Sequence, residues 1–223
     1  MKKKAQPKTR IFIVDDHPMM RQGLAQLINN EPDLQVSGEA ESAEQALSAI
    51  DGSKPDLVLA DVTLTGRSGL ELIKDIQALR PDLAVLVISM HDESLYAERV
   101  LRAGGRGYVM KQEGGKQIMQ AIRQVLSGQI YVSPKMSAKI LEALSGRRSD
   151  ASNSPLERLT DREFEVFQLL GEGKGTRQIA EQLHVSVKTI EVHRLHIKEK
   201  LKIDDAPSLV RYAVRWVETQ KTA

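Results

Sequence analysis

From Arg10 to about Gly128, short aliphatic runs alternate with longer segments whose apolar positions recur every three or four residues. The runs are RIFIV, LQVSGEA, DLVLA, AVLVISM and RGYVM. Between the first two, Met20, Leu24, Leu27 and Ile28 mark one stripe of a helix. Runs that are apolar at nearly every position suit strands buried on both faces, as in a parallel sheet covered by helices. Five strands and five helices predict an α/β domain with a doubly wound, five-stranded parallel sheet.

After Gly128 the pattern changes. PKMSAKILEAL predicts a short helix opened by Pro134, and the polar GRRSDASNSP that follows has no apolar period and reads as a linker. From Leu159 onward four helices and no strand are expected. Thr160 and Glu163 form a capping box at the start of the first. The second begins at Thr176 and buries Ile179, Ala180 and Leu183. His184-Val185-Ser186 makes a turn, and a third helix runs from Val187 to about Lys202 with Ile190, Ile197 and Leu201 inward. Two helices joined by a tight turn, the second longer, make a helix-turn-helix. The last helix, from about Pro207, carries Leu209, Val210, Ala213, Val214 and Trp216. The expected domains are 9–130, a linker with a short helix at 131–156, and an all-α module at 157–223.

Composition adds exclusions. The chain has no cysteine, which removes disulfides and thiolate metal sites. The basic start, MKKKAQPKTR, precedes only IFIV, too short for the core of a signal peptide, and LAVLVISM is too short to span a membrane. A cytoplasmic protein with a solvated basic end is expected. The formal net charge of +2 makes no case for a polyanionic partner. Residues 188–202, however, hold five basic residues against two acidic ones. On that helix Val192 and Leu195 fall on the face opposite the buried one, where apolar side chains suit a thymine methyl or a sugar in a DNA groove.

Reactive groups of doubly wound sheets collect at the carboxyl ends of strands. Asp15 and Asp16 follow the first run, Asp61 ends the third, Ser89 ends the fourth and Lys111 follows the fifth. Each has a plain alternative: Asp16 could cap the first helix, Asp61 could start a turn, and Lys111 could be a solvated charge. Together, three carboxylates call for a hard cation, most suitably Mg2+. A strand-end carboxylate beside that cation can accept a phosphoryl group as an acyl phosphate, with Lys111 supplying a second positive charge and Ser89 a hydrogen bond.

Residues 10–128 resemble the receiver domain of bacterial two-component response regulators, on the Asp15–Asp16 pair, Asp61 followed by GRSGLEL, Ser89, and GRGYVMK ending in Lys111. The resemblance implies a flavodoxin-like receiver with Asp61 as phosphoacceptor. It also implies Mg2+ bound by Asp16 and Asp61 directly, by Asp15 through water, and by the Thr63 carbonyl. Ser89 and Tyr108 would be the switch pair: Ser89 is drawn to the phosphoryl oxygens and Tyr108 enters the space it leaves. Thr63 and His91 would flank the phosphoryl site and tune its hydrolysis. Thr65 and Gln112 stand where receivers often carry proline. DVTLT also resembles the DxDxT motif of haloacid-dehalogenase-type phosphatases, but Thr63 occupies the general-acid position and cannot serve there.

Leu159–Ile203 resembles the LuxR-type helix-turn-helix of the NarL/FixJ class, on LTDREFEV, IAEQL, Thr189-Ile190-Glu191-Val192-His193 and KLKI. By that resemblance Lys188, Glu191, Val192 and Leu195 reach base edges, and Thr189, His193, Arg194 and Lys198 meet phosphates. Glu191 could read cytosine or pair with Lys188 or Arg194. The last helix could bury entirely in its own module or contribute to a DNA-bound dimer. The resemblance as a whole implies a transcription regulator, not a metabolic enzyme, with a histidine kinase, promoter half-sites of double-stranded DNA and a second copy of the chain as partners. In this class an unphosphorylated receiver often covers the recognition helix. A different class, a protein-interaction module that is never phosphorylated, would have no use for the complete acidic site.

Overall fold

The computed structural model describes residues 7–64, 66–144 and 155–222. The Ser/Asn-rich part of the expected linker, 145–154, lies outside the described residues, as do Thr65 and the first six residues of the basic end. The chain divides into two compact units, Met1–Ala138 and Lys139–Ala223.

In the first unit the five apolar runs become β1 (Thr9–Val14), β2 (Leu34–Ala40), β3 (Leu57–Ala60), β4 (Ala84–Ser89) and β5 (Gly107–Met110). All pairings are parallel, in the order β2-β1-β3-β4-β5. Between and after them run α1 (Pro18–Asn29), α2 (Ala43–Ser53), α3 (Gly69–Leu79), α4 (Glu93–Arg102) and α5 (Gly114–Leu126). Every residue of β3 is buried, which is why LVLA carries no polar alternation. One core layer joins Ile11, Ile13, Leu57, Leu59, Leu86 and Ile88 to Leu24 and Ile28 of α1 and Ile118 and Ile122 of α5.

Helix starts follow local chemistry. Ser68 and Glu71 form a capping box on α3, and Asp92 caps α4 by accepting from Ser94 N–H at 2.9 Å. The start of α1 removes the plain alternative for Asp16. Asp16 is not the cap of α1; His17 is the N-cap residue, with no side-chain bond to the helix amides, and Pro18 occupies the first helical turn. After β5 a 3-10 turn spans Lys111–Glu113.

The expected helix at Pro134 is present as α6 (Pro134–Leu144), and the division between the units falls within it. The second unit continues with α7 (Asp161–Gly171), α8 (Thr176–Gln182), α9 (Val187–Leu201) and α10 (Ala206–Thr222). The Thr160–Glu163 capping box is formed. Phe164, Phe167, Leu170, Ile179, Leu183, Ile190, Ile197, Leu209 and Ala213 make its core. Trp216 packs its ring at 5.6 Å from both Phe164 and Phe167. His184 takes a left-handed φ of 51°, and Ser186 caps α9 by accepting from Thr189 N–H, so the expected turn is a real corner.

Gly69 lets α3 begin against the strand-end acid, since a Cβ there would stand 2.1 Å from the Asp61 carbonyl oxygen. Gly69→Ala is expected to destabilise the first unit by about 1–3 kcal/mol through forced displacement of that backbone, measured by denaturant melts.

Candidate functional site

Three separate strands deliver the acids and the lysine to one place. Asp15 follows β1, where its N–H pairs with the Ala40 carbonyl, and Asp61 follows β3, where its N–H pairs with Val14. Both side chains are buried, Asp15 completely. Lys111, carried by the turn after β5, places Nζ 2.6 Å from Asp15 Oδ2 and 2.6 Å from Asp61 Oδ2. The remaining oxygens are held by backbone. Asp15 Oδ1 accepts from His17 N–H at 2.9 Å, and Asp61 Oδ1 from Thr63 N–H at 3.2 Å.

The electrostatics follow from that sharing. One ammonium faces two carboxylates, so the buried group keeps a net negative charge. Burial pushes the Asp61 carboxyl up to about 6; Lys111 opposes the rise and Asp15 adds to it. Burial also works against the charge on Lys111, but Asp61 and Asp15 outweigh it and hold the ammonium above its usual range. Both shifts are upward, which favours the ammonium and disfavours the carboxylate, because the lysine is divided between two partners and each acid is only partly compensated.

Asp16 lies at the rim with its side chain 21% exposed, and its Oδ1 stands 2.7 Å from His17 Nδ1. Ligand atoms of Asp15, Asp16, His17 and Asp61 all fall within 4.8 Å of one another. Three carboxylates with residual negative charge are a donor set that suits a hard divalent cation, so the residues fit Mg2+. His17 was not among the residues expected at this site. Its signal was Pro18, which makes residue 17 the cap and turns it back toward the acids.

Around this centre Ser89 is fully buried, and its Oγ accepts from His91 N–H at 3.2 Å. His91 Nε2 meets Thr63 Oγ1 at 2.9 Å, joining the β3–α3 and β4–α4 loops. Tyr108 is 1% exposed, and its hydroxyl donates to the His91 carbonyl at 2.9 Å. Burial pushes that phenol far above its usual range, with Ser89 beside it. The ring therefore already lies inside. In this arrangement the ring is held in place through the His91 peptide.

On α9, Ile190 and Ile197 are buried as expected and Leu201 is part-buried. Lys188, Glu191, Val192 and Leu195 are exposed, the two apolar ones by 42% and 49%. Thr189, His193, Arg194 and Lys198 are part-buried. Arg194 Nη1 donates to Thr176 Oγ1 at the start of α8, a partner not foreseen for it, instead of to Glu191. Thr189 Oγ1 lies 2.7 Å from the Ser186 hydroxyl. In α10, Leu209 and Ala213 are buried while Val210, Val214 and Trp216 remain part-exposed. Among the described residues no helix is long and apolar enough to cross a membrane.

Comparison with known proteins matches residues 11–123 to the response regulator receiver domain and residues 157–213 to the LuxR family of bacterial regulatory proteins. The oxygen regulatory protein NreC of Staphylococcus carnosus is 34% identical over 210 residues, covering 92% of this chain and 97% of that one. A solved RcsB response regulator of Salmonella typhimurium shares 26% identity with a TM-score of 0.65, covering 94% of this chain and 98% of that one. A structure of two RcsB dimers bound to two parallel DNAs gives 25% identity and a TM-score of 0.57, with coverage of 92% and 97%.

The raised carboxyl sets a pH-dependent stability. Its pKa in the folded state lies above the ordinary value, so the folded state binds more protons and stability falls as pH rises from about 4 to about 6. Without divalent cation, Asp61→Asn is therefore expected to stabilise the protein at pH 7.5 by on the order of 2 kcal/mol, the gap closing toward pH 4. Thermal melts across that range check it, and a pH-independent gap would contradict the sign.

Proposed function

The chain belongs to the two-component response regulators that join a receiver domain to a LuxR-type DNA-binding domain, and from that premise we propose that Asp61 is its phosphoacceptor. The protein is a transcription regulator governed by phosphorylation, not a classical enzyme. The observation that supports Asp61 is its buried carboxylate, backed by a second acid and bridged to it by one lysine.

In the proposed step an Asp61 carboxylate oxygen attacks the phosphorus of a histidine kinase's phosphohistidine or of a small phosphodonor. The P–N or P–O bond breaks, and the leaving group departs with the electron pair. Asp16 and Asp61 would hold Mg2+ directly, Asp15 would hold it through water, and the Thr63 carbonyl would complete its oxygens. Bound there, the cation supplies neutralisation of the charge on the transferring oxygens. Lys111 keeps a positive charge beside the acceptor throughout, and it can follow the new phosphoryl oxygens as Asp61 loses its own charge. Ser89 turns toward the same oxygens and gives up the His91 N–H. That loosens the peptide whose carbonyl holds Tyr108, biasing a two-state loop.

The proposed output is sequence-specific binding by α9. Lys188, Glu191, Val192 and Leu195 face base edges, and Thr189, His193 and Lys198 face phosphates. Arg194, anchored on Thr176, would contribute charge from a fixed position. Phosphorylation would favour dimers on paired half-sites, with Val210 and Val214 of α10 as the apolar surface for the second copy. The basic face of α9 gives affinity a steep salt dependence.

Mass spectrometry after treatment with acetyl phosphate and Mg2+ should find one added phosphoryl group on the peptide containing Asp61. Asp61→Asn should abolish both that gain and donor-dependent DNA binding, and a mutant indistinguishable from wild type would support the interaction-module reading. The Thr63–His91 hydrogen bond closes one side of the pocket. Thr63→Ala or His91→Ala is expected to shorten the acyl-phosphate lifetime about fivefold, the worth of roughly 1 kcal/mol. Decay followed by mass spectrometry tests this, and an unchanged half-life in both variants removes their assigned role.

A further inference from the structure

Glu93 opens α4 with a charged side chain, yet the residue is only 9% exposed. Its carboxylate reaches beyond its own helix. Oε1 accepts from the backbone N–H of Ser133 at 2.7 Å, across forty residues of chain. Ser133 is in turn the start of α6: its Oγ accepts from Met136 N–H at 3.1 Å and its carbonyl from Ser137 N–H at 2.9 Å. Just before it, Tyr131 is fastened to the sheet edge. Its N–H donates to the Arg106 carbonyl at 3.0 Å, and its carbonyl accepts from Tyr108 N–H at 2.9 Å. Gly107 permits this approach, since a Cβ there would stand 2.5 Å from the Tyr131 carbonyl oxygen.

The other end of Glu93 lies in the switch loop. Asp92, the residue before it, caps α4, and His91 before that is held by Ser89 through its N–H and by Tyr108 through its carbonyl. Burying a carboxylate costs free energy unless it is well paired. Here the charge is also felt by Glu113, whose carboxyl is raised by burial and by Glu93. An apolar residue would pack at the start of α4 without that cost, but it could not accept from the Ser133 amide.

We propose that Glu93 is a positioning residue of the switch: it carries movement of the Ser89 loop to the first turn of α6, the helix that leads out of the receiver. A hydrogen bond of this length does not survive a shift of about 1 Å. Displacement of the α4 start therefore releases the Ser133 amide and loosens the residue whose hydroxyl and carbonyl cap α6, while the Tyr131 pairing keeps the segment on the sheet. The inference rests on the reading of Asp61 as phosphoacceptor and Ser89 as its responder.

The test uses full-length wild type, Glu93→Ala, Glu93→Met and Glu93→Gln, each with acetyl phosphate and Mg2+. Three quantities are read: phosphoryl uptake by mass spectrometry, hydrogen exchange of the amides from Ser133 to Ser137, and the donor-dependent ratio of DNA affinities. The DNA is a duplex selected from a random pool by phosphodonor-treated wild type. Ala and Met, which cannot accept the bond, should take up phosphoryl like wild type. They should exchange those amides about tenfold faster without donor, and the affinity ratio should fall toward one. Met keeps the volume of the side chain and reads the same loss if Ala perturbs folding. Gln, whose carbonyl can accept from Ser133, should restore both exchange and ratio. A wild-type ratio in Ala and Met, or a Gln variant as impaired as they are, overturns the inference alone. No phosphoryl uptake by the wild type overturns the Asp61 reading and this inference with it.

Discussion

Lys111 pairs with both Asp15 and Asp61 at 2.6 Å, and the receiver's chemistry depends on that division. A single ammonium cannot neutralise two carboxylates. The buried cluster therefore stays net negative, and Asp61 is held above its ordinary range despite a cation in contact. Such a pocket gains from a divalent cation and from a ligand that brings its own oxygens. The parallel sheet exists in this geometry to make the arrangement possible. Asp61 and Lys111 are fifty residues apart, and only the carboxyl ends of β3 and β5, on either side of β4 at one edge of the sheet, bring them within bonding distance.

The loops around the pocket convert that electrostatic state into mechanical links. The His91 peptide is gripped from both sides, its N–H by Ser89 and its carbonyl by Tyr108, while its ring meets Thr63. No single bond here is strong, since each contributes roughly 1 kcal/mol net. Their value lies in sharing one short loop, so a change at Ser89 is felt by Tyr108 and by the start of α4 together. Packed interiors respond to such changes by switching between arrangements, not by yielding gradually.

In the second unit the same economy serves a different end. The α9 helix is fixed from behind, where Lys200 donates to the buried capping-box residue Glu163 at 2.6 Å and Arg194 to Thr176. Aromatic contacts of Phe164 and Phe167 with Trp216 hold α10 against α7. Val192 and Leu195 are left outward on a helix whose inward positions are already filled. Rigid support behind and an apolar-basic face in front suit a helix that must present side chains to a groove without reorganising.

The strands, their parallel pairing and the five-helix cover were legible because continuous apolar runs and the helical apolar spacing are local signals that tertiary packing did not override. The acids at strand ends were legible for the same reason, since strand direction fixes which end carries them. The N-cap at His17, the inward ring of Tyr108, the Arg194–Thr176 bond and the grip of Glu93 on Ser133 were not. Each depends on a partner or a packing choice with no periodic trace along the chain. By itself, the order of residues determined which elements form and which side chains gather at one edge. Only the folded arrangement decided which oxygen faces which donor, because hydrogen bonds discriminate at the scale of tenths of an ångström and sequence pattern resolves no finer than a face.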